Sequence, residues 1–188
     1  MKLLFENWRG YLNEKEQEVR EGCMKILFLH GLESEPGGAK AKYLEDLGHT
    51  VLNPSLPKED FERSVEIAQA EVDNEQPDIV VGSSRGGAVG LSLDLHGAKL
   101  VLIAPAWQKY EASPQTPPGT TVLHCASDEQ VAYEDSEKLE GEPRLVPCGE
   151  GHRMNDPEAL AALKDAIKLA GGRVDCVADG GETDEAPV

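Results

Sequence analysis

The chain has 188 residues, enough for one domain with a sizeable core. Eighteen Lys and Arg against thirty-five Asp and Glu give a net charge of −17, which repels nucleic acid and anionic membranes and favours solubility. No apolar run approaches the ~18 residues that span a bilayer, and Glu6 and Arg9 interrupt the apolar N-terminal stretch, so the expected location is cytoplasmic.

Residues 1–22 read as an extension. Leu4, Phe5, Trp8, Tyr11 and Leu12 recur at helical spacing, and Asn13 to Glu21 is almost wholly polar. A short amphipathic helix on a polar linker fits this pattern. Two uses fit it equally: Trp8 and Tyr11 pack on the domain, or the segment docks another protein or a second copy of the chain.

From Lys25 the pattern is regular, and residues 23–170 read as the folded domain. Ile26-Leu27-Phe28-Leu29 is a buried strand ending at His30-Gly31. Ala39, Tyr43, Leu44 and Leu47 mark a helix closed by Gly48, and Thr50-Val51-Leu52 a second strand. Phe61, Val65, Ala68 and Val72 mark a second helix. Further strands follow at Ile79-Val80-Val81, Leu100 to Ile103, Thr121 to His124 and Leu145-Val146. The last helix runs from Pro157 to Ala170 with Leu160, Leu163 and Ile167 on one face, and Pro157 suits its first turn. Residues 171–188 hold two Gly-Gly pairs and several acids, and are expected to be a disordered acidic tail.

Nearly uniform apolar strands alternating with helices imply an α/β fold: three layers, with a minimal, mostly parallel six-stranded sheet covered on both faces. In such sheets chemistry gathers beyond the carboxyl ends of the strands. The cysteines Cys23, Cys125, Cys148 and Cys176 form no C-x-x-C pair, which gives zinc and redox readings little support. Cys125 and Cys148 sit in apolar runs and read as small buried hydrophobes.

Gly82-Ser83-Ser84-Arg85-Gly86 has the form G-x-S-x-G, with a strand before it and a glycine-rich helix after it. A serine at so sharp a strand-to-helix turn projects its hydroxyl above the sheet, with the helix N-terminus behind it favouring negative charge. Serine alone is a poor nucleophile; it needs a base and a group that orients the base. Asp128 follows the fifth strand, and His152 follows the sixth, just before the last helix. Glu129, Asp135 and Asp156 are the competing acids. His49, His96 and His124 compete poorly as the base, because they lie near helix ends or within a strand. Acyl transfer also needs two donors aimed at the oxyanion. The backbone N–H of Arg85 is one expected donor, and that of Leu32, in His30-Gly31-Leu32-Glu33-Ser34 after the first strand, is the other. His30 is expected to be structural and Glu33 to face solvent. Trp107, Tyr110 and Met154, with Leu32, are candidates for an acyl pocket, although Trp107 and Tyr110 packing on the sheet edge fits as well.

The order Ser84, Asp128, His152 is that of the α/β-hydrolases. Residues 25–170 resemble this superfamily, and specifically its compact, lid-poor bacterial esterases of the YqiA-like type. The resemblance is carried by His30-Gly31-Leu32-Glu33-Ser34, Val81-Gly82-Ser83-Ser84-Arg85-Gly86-Gly87, Ala104-Pro105-Ala106, Ser127-Asp128 with Val131, and Gly149-Gly151-His152. It implies an esterase-like activity, no metal or other cofactor, and a triad of Ser84, Asp128 and His152.

The expected function is therefore hydrolysis of a small carboxylic ester or thioester through an acyl-enzyme on Ser84. An amidase, peptidase or lactone hydrolase with the same triad remains open, because one triad serves all of them. A binding protein on the same fold is the alternative outside enzymes. The strongly acidic charge disfavours a lipase at a membrane surface.

Overall fold

The computed structural model describes residues 23–171. The helix expected within residues 1–22, and the tail beyond Gly171, lie outside the described residues. The elements in order are β1 (Lys25–Leu29), α1 (Ala39–Asp46), β2 (Thr50–Leu52), α2 (Phe61–Glu75), β3 (Ile79–Ser83), α3 (Arg85–Leu91), β4 (Lys99–Ile103), a 3-10 turn (Gln108–Tyr110), β5 (Thr121–His124), α4 (Tyr133–Glu137), β6 (Arg144–Pro147) and α5 (Pro157–Leu169). The six strands and the main helices follow the sequence pattern. The two elements it missed, Gln108–Tyr110 and α4, span three and five residues, too few for a periodicity to appear.

The sheet order is β2-β1-β3-β4-β5-β6. Every pairing is parallel, so the sheet is wholly rather than mostly parallel among the described residues. The chain leaves β1 toward β2 on one side and leaves β3 toward β4 on the other. The direction of winding therefore switches between β1 and β3, and a crevice opens there beyond the carboxyl ends of the two strands.

Successive side chains of each strand point to opposite faces, and both faces are buried. Ile26, Phe28, Ile79, Val81, Val101 and Ile103 pack with Leu44 of α1 and Leu163 and Ile167 of α5. Leu27, Leu29, Val80, Leu100, Leu102 and Val122 pack with Ala68 and Val72 of α2 and Val89 of α3. Each such side chain, fully buried, contributes roughly 1.5–3 kcal/mol, which is why the strands carry almost no polar residue. The two long helices are capped from their own sequence. Asp60 accepts the Arg63 N–H at 2.8 Å to start α2, and Asp156 accepts the Ala159 N–H at 3.0 Å to start α5. Pro157 opens α5, and its buried face is Ala159, Leu163, Ala166 and Ile167. No helix among the described residues is long and apolar enough to cross a membrane.

The joint between β3 and α3 is packed backbone against backbone. A side-chain carbon on Gly86 would lie 2.1 Å from the Leu29 carbonyl oxygen, and one on Gly82 would lie 2.5 Å from the Gly86 carbonyl oxygen. Backbone therefore meets backbone across β1, β3 and α3, with no room for a methyl group. Ser84 lies between these glycines at φ 52°, ψ −115°, a conformation that non-glycine residues rarely adopt. Its N–H donates to the Ile103 carbonyl at 2.8 Å, and its carbonyl accepts from Gly87 and Ala106 at 2.9 and 3.1 Å. These bonds to both flanks hold the strained turn in place.

Replacing Gly86 with alanine is expected to destabilise the fold by about 3 kcal/mol, because the obstacle is rigid backbone. Gly151→Ala, at a site with nothing within 4 Å, is the control and should stay within about 0.5 kcal/mol of wild type. Urea unfolding midpoints of the two variants check this.

Candidate active site

Ser84, Asp128 and His152 come from the loops after β3, β5 and β6, and they meet at the carboxyl edge of the sheet. The His152 Nε2 lies 2.9 Å from Ser84 Oγ, and its Nδ1 lies 2.7 Å from Asp128 Oδ2. A carboxylate only accepts, so Nδ1–H is the donor to Asp128. That leaves Nε2 as an acceptor facing the serine hydroxyl. The side chain of Asp128 is wholly buried, whereas that of His152 keeps 14 % exposure.

Asp128 is held on both oxygens. Its Oδ1 accepts the N–H groups of Gln130 and Val131 at 2.8 and 3.0 Å. Its Oδ2 faces a second histidine as well as His152. The His124 Nε2 lies 3.2 Å from Oδ2 and 3.1 Å from the Val131 carbonyl, both acceptors, so this nitrogen carries the hydrogen. The His124 Nδ1 then accepts the Ser136 hydroxyl at 2.7 Å. Burial pulls the His124 pKa down despite the neighbouring Asp128 charge, which keeps the ring neutral and the pattern fixed. Burial alone would raise Asp128; the Val131 N–H, the His152 hydrogen bond and the Gln130 N–H outweigh it and hold the carboxyl below its ordinary value.

His124, the last residue of β5, is a residue whose part in the site the sequence pattern does not reveal. The available signal was a histidine in an apolar strand, four residues before the acid. Of the other acids, Glu129 is exposed and two are engaged elsewhere. Asp156 caps α5, and Asp135 pairs with Lys138 at 3.0 Å.

The two loops that carry the acid and the base are tied together and to α1. The Cys125 thiol donates to the Gly149 carbonyl at 3.1 Å, linking the two loops. Lys40 of α1 donates to the Arg153 carbonyl at 2.6 Å and to Asn155 Oδ1 at 3.0 Å. Asp156 also accepts the Glu150 N–H at 3.2 Å.

Ser84 and His152 open onto a cavity of about 300 Å³ lined also by Leu32, Arg85, Lys109 and Tyr110. The backbone N–H groups of Leu32 and Arg85 donate to no hydrogen bond among the described residues. A second cavity, about 770 Å³, lies at the amino ends of the strands around Asp78 and Lys99. None of the three hydrogen-bonded residues lines it, and its size carries no chemistry.

Of the three pocket candidates, Tyr110 alone lines the Ser84 cavity. Trp107 instead donates its indole N–H to the Asp135 carbonyl at 2.8 Å and packs on the core. Met154 is 2 % exposed and belongs to the core with Cys125, Cys148 and Ala159. His30 is structural, as expected: its Nδ1–H donates to the Gly31 carbonyl at 2.9 Å, and Nε2 accepts the Leu56 N–H at 3.3 Å. Glu33 is exposed. The Arg85 side chain is buried and bonds Pro57 O, Asp60 O and Ser64 Oγ at 2.6, 3.0 and 2.9 Å, tying the start of α3 to the start of α2. Among the described residues, no three His, Cys, Asp or Glu side chains gather as a metal site.

No family model matches the chain, and no curated protein does. Solved structures do. The mouse α/β hydrolase domain-containing protein 10 is 16% identical over 77% of this chain and 88% of its own, with a TM-score of 0.59. Est1E from Butyrivibrio proteoclasticus is 16% identical over 79% of this chain and 86% of its own, with a TM-score of 0.60. A Xanthomonas campestris α/β serine hydrolase without a lid is 22% identical over 78% of this chain and 79% of its own, with a TM-score of 0.52. From the parallel sheet, the strand-to-helix turn at Ser84 and these similarities together, the chain has the α/β-hydrolase fold.

Proposed function

We propose that this chain is a serine hydrolase that cleaves a small carboxylic ester or thioester through an acyl-enzyme on Ser84. The observation that carries this reading is the unbroken chain of hydrogen bonds from Ser84 Oγ through His152 to buried Asp128. His152 Nε2 takes the hydroxyl proton as Ser84 Oγ attacks the acyl carbon. The N–H groups of Leu32 and Arg85 hold the oxyanion that forms, and no other group among the described residues competes for them. His152 then gives its proton to the leaving group. Water, deprotonated by His152 in turn, releases the acyl group from Ser84. Asp128 keeps the proton on Nδ1 and stabilises the imidazolium.

The size of the cavity, about 300 Å³, supports a small substrate. The strained turn at Ser84 supports a nucleophile rather than an ordinary turn serine, because strain of this kind persists where function requires it. A lidless serine hydrolase among the structural neighbours agrees with a site open to solvent.

With short-chain aryl esters, Ser84→Ala should lose roughly 10⁴-fold or more in turnover, and Asp128→Asn roughly 10³–10⁴-fold with the fold retained. Steady-state rates and circular dichroism of both variants test this. Unchanged ester turnover in Ser84→Ala would refute the proposal.

The same network sets a pH dependence of stability. His124 is held neutral, below its ordinary value of 6.5, so its contribution is complete above that pH and is lost as the pH falls. Buried His49 is lowered in the same direction. Asp128, lowered from 3.8, keeps its contribution until the pH falls below that value. Urea midpoints should therefore change little around neutrality and start to fall below pH about 6.5, well before the carboxylates titrate. His124→Gln should weaken that first fall. An unchanged fall in this variant would show that His124 is not its source.

A further inference from the structure

The charges of this chain are unevenly spread. Acids outnumber Lys and Arg thirty-five to eighteen overall. The cavity at Ser84 inverts that ratio: Lys40, Lys109 and Arg153 line it, with Arg85 whose guanidinium is buried, against Glu33 alone. Among the described residues, none of these four cations has a carboxylate within ion-pair distance; Lys25, Lys58, Arg63 and Lys138 elsewhere do, while Lys42, Lys99, Arg144 and Lys168 do not.

The partners of Lys40, Lys109 and Arg85 are neutral. Lys40 meets a carbonyl and an Asn side chain. Lys109 lies over the Tyr110 ring at 5.9 Å. Arg85, 1 % exposed, meets three neutral oxygens through its guanidinium, and its Nε has no hydrogen-bond partner among the described residues. Burial pushes Lys40 down to about 8, the direction of an ammonium with no anion to offset its desolvation. An acidic surface repels anions at long range, so an anion reaches Ser84 only if charges of the opposite sign wait in the cleft. Cations left without carboxylates in so acidic a chain keep that attraction available.

We propose that the Ser84 cleft takes an ester whose molecule also bears an anionic group, a carboxylate or a phosphate, seated against Lys40, Lys109 and Arg153. This inference rests on the hydrolase reading above. The small cavity places the anion within a few bonds of the ester carbonyl.

The test compares kcat/KM within matched pairs at low salt. Mono(4-nitrophenyl) adipate against its methyl ester places a carboxylate in the acyl arm. 4-Carboxyphenyl butyrate against its methyl ester places one in the leaving group, and 4-phosphooxyphenyl butyrate replaces carboxylate with phosphate. At least one anionic member should exceed its neutral partner by about tenfold, chiefly through KM, as expected of one half-exposed charge pair. The preference should fade at high salt, and the Lys109→Gln, Arg153→Gln double variant should bring the pair within about twofold.

Ser84-dependent turnover of neutral esters, with no anionic member preferred, overturns this inference and leaves the hydrolase reading intact. No turnover of any ester, and no phosphonylation of Ser84 by a fluorophosphonate, overturns both. If Ser84 is phosphonylated without any ester turning over, the labelling rates of a carboxyl-bearing and a neutral alkyl fluorophosphonate decide in the same way: a faster anionic probe supports the inference, and equal rates overturn it.

Discussion

The approach of bare backbone at Gly82 and Gly86 is the constraint on which the rest of the molecule depends. It lets α3 press against β1 and β3 without a side chain between them. That closeness forces the chain to turn at Ser84 through φ 52°. The turn in turn points the hydroxyl away from the sheet and into the crevice where the winding changes direction. Arg85 at the helix start and Leu32 after β1 line the same cavity, and neither backbone N–H donates to a hydrogen bond among the described residues. The two neighbouring strands that meet at the switch thus supply the serine and both candidate oxyanion donors. A larger residue at either glycine would move all of these together.

The buried carboxylate of Asp128 is the second organising feature. A lone buried charge is costly, and this one is offset by two backbone N–H groups and two imidazoles on its oxygens. The arrangement also explains why Asp128, rather than Glu129 or Asp135, meets His152. Of these three acids, Asp128 is the one whose side chain accepts the N–H groups of Gln130 and Val131 as the loop curls back. His124 closes the network from beneath, with Ser136 fixing its ring. A carboxylate with so many fixed partners has little freedom to rotate, so His152 is left with one favoured tautomer.

Much of this was legible in the sequence because the sheet is parallel and buried on both faces. Such strands are short apolar runs, and the residues of interest follow them directly. The order of Ser84, Asp128 and His152 along the chain and their positions after β3, β5 and β6 could therefore be read without coordinates. What could not be read lies in the side-chain directions of irregular segments. Trp107 and Met154 both follow strands, yet one turns to the Asp135 carbonyl and the other into the core, and no periodicity distinguishes these from pocket positions. His124 was hidden for a different reason. A strand alternates its faces, but the partner of its last residue depends on how the next loop returns. The buried Arg85 side chain was equally hidden, since its acceptors at Pro57, Asp60 and Ser64 come from a loop and helix start 21 to 28 residues away.

The central claim is that Ser84 is an activated nucleophile and not merely a serine in a tight turn. Stoichiometric reaction with a small fluorophosphonate, located by peptide mass spectrometry, tests this most directly. The account requires one phosphonyl group per chain, on Ser84, with labelling slowed by orders of magnitude when His152 is replaced by alanine. Labelling that is absent, that maps to another residue, or that is indifferent to His152 would contradict it.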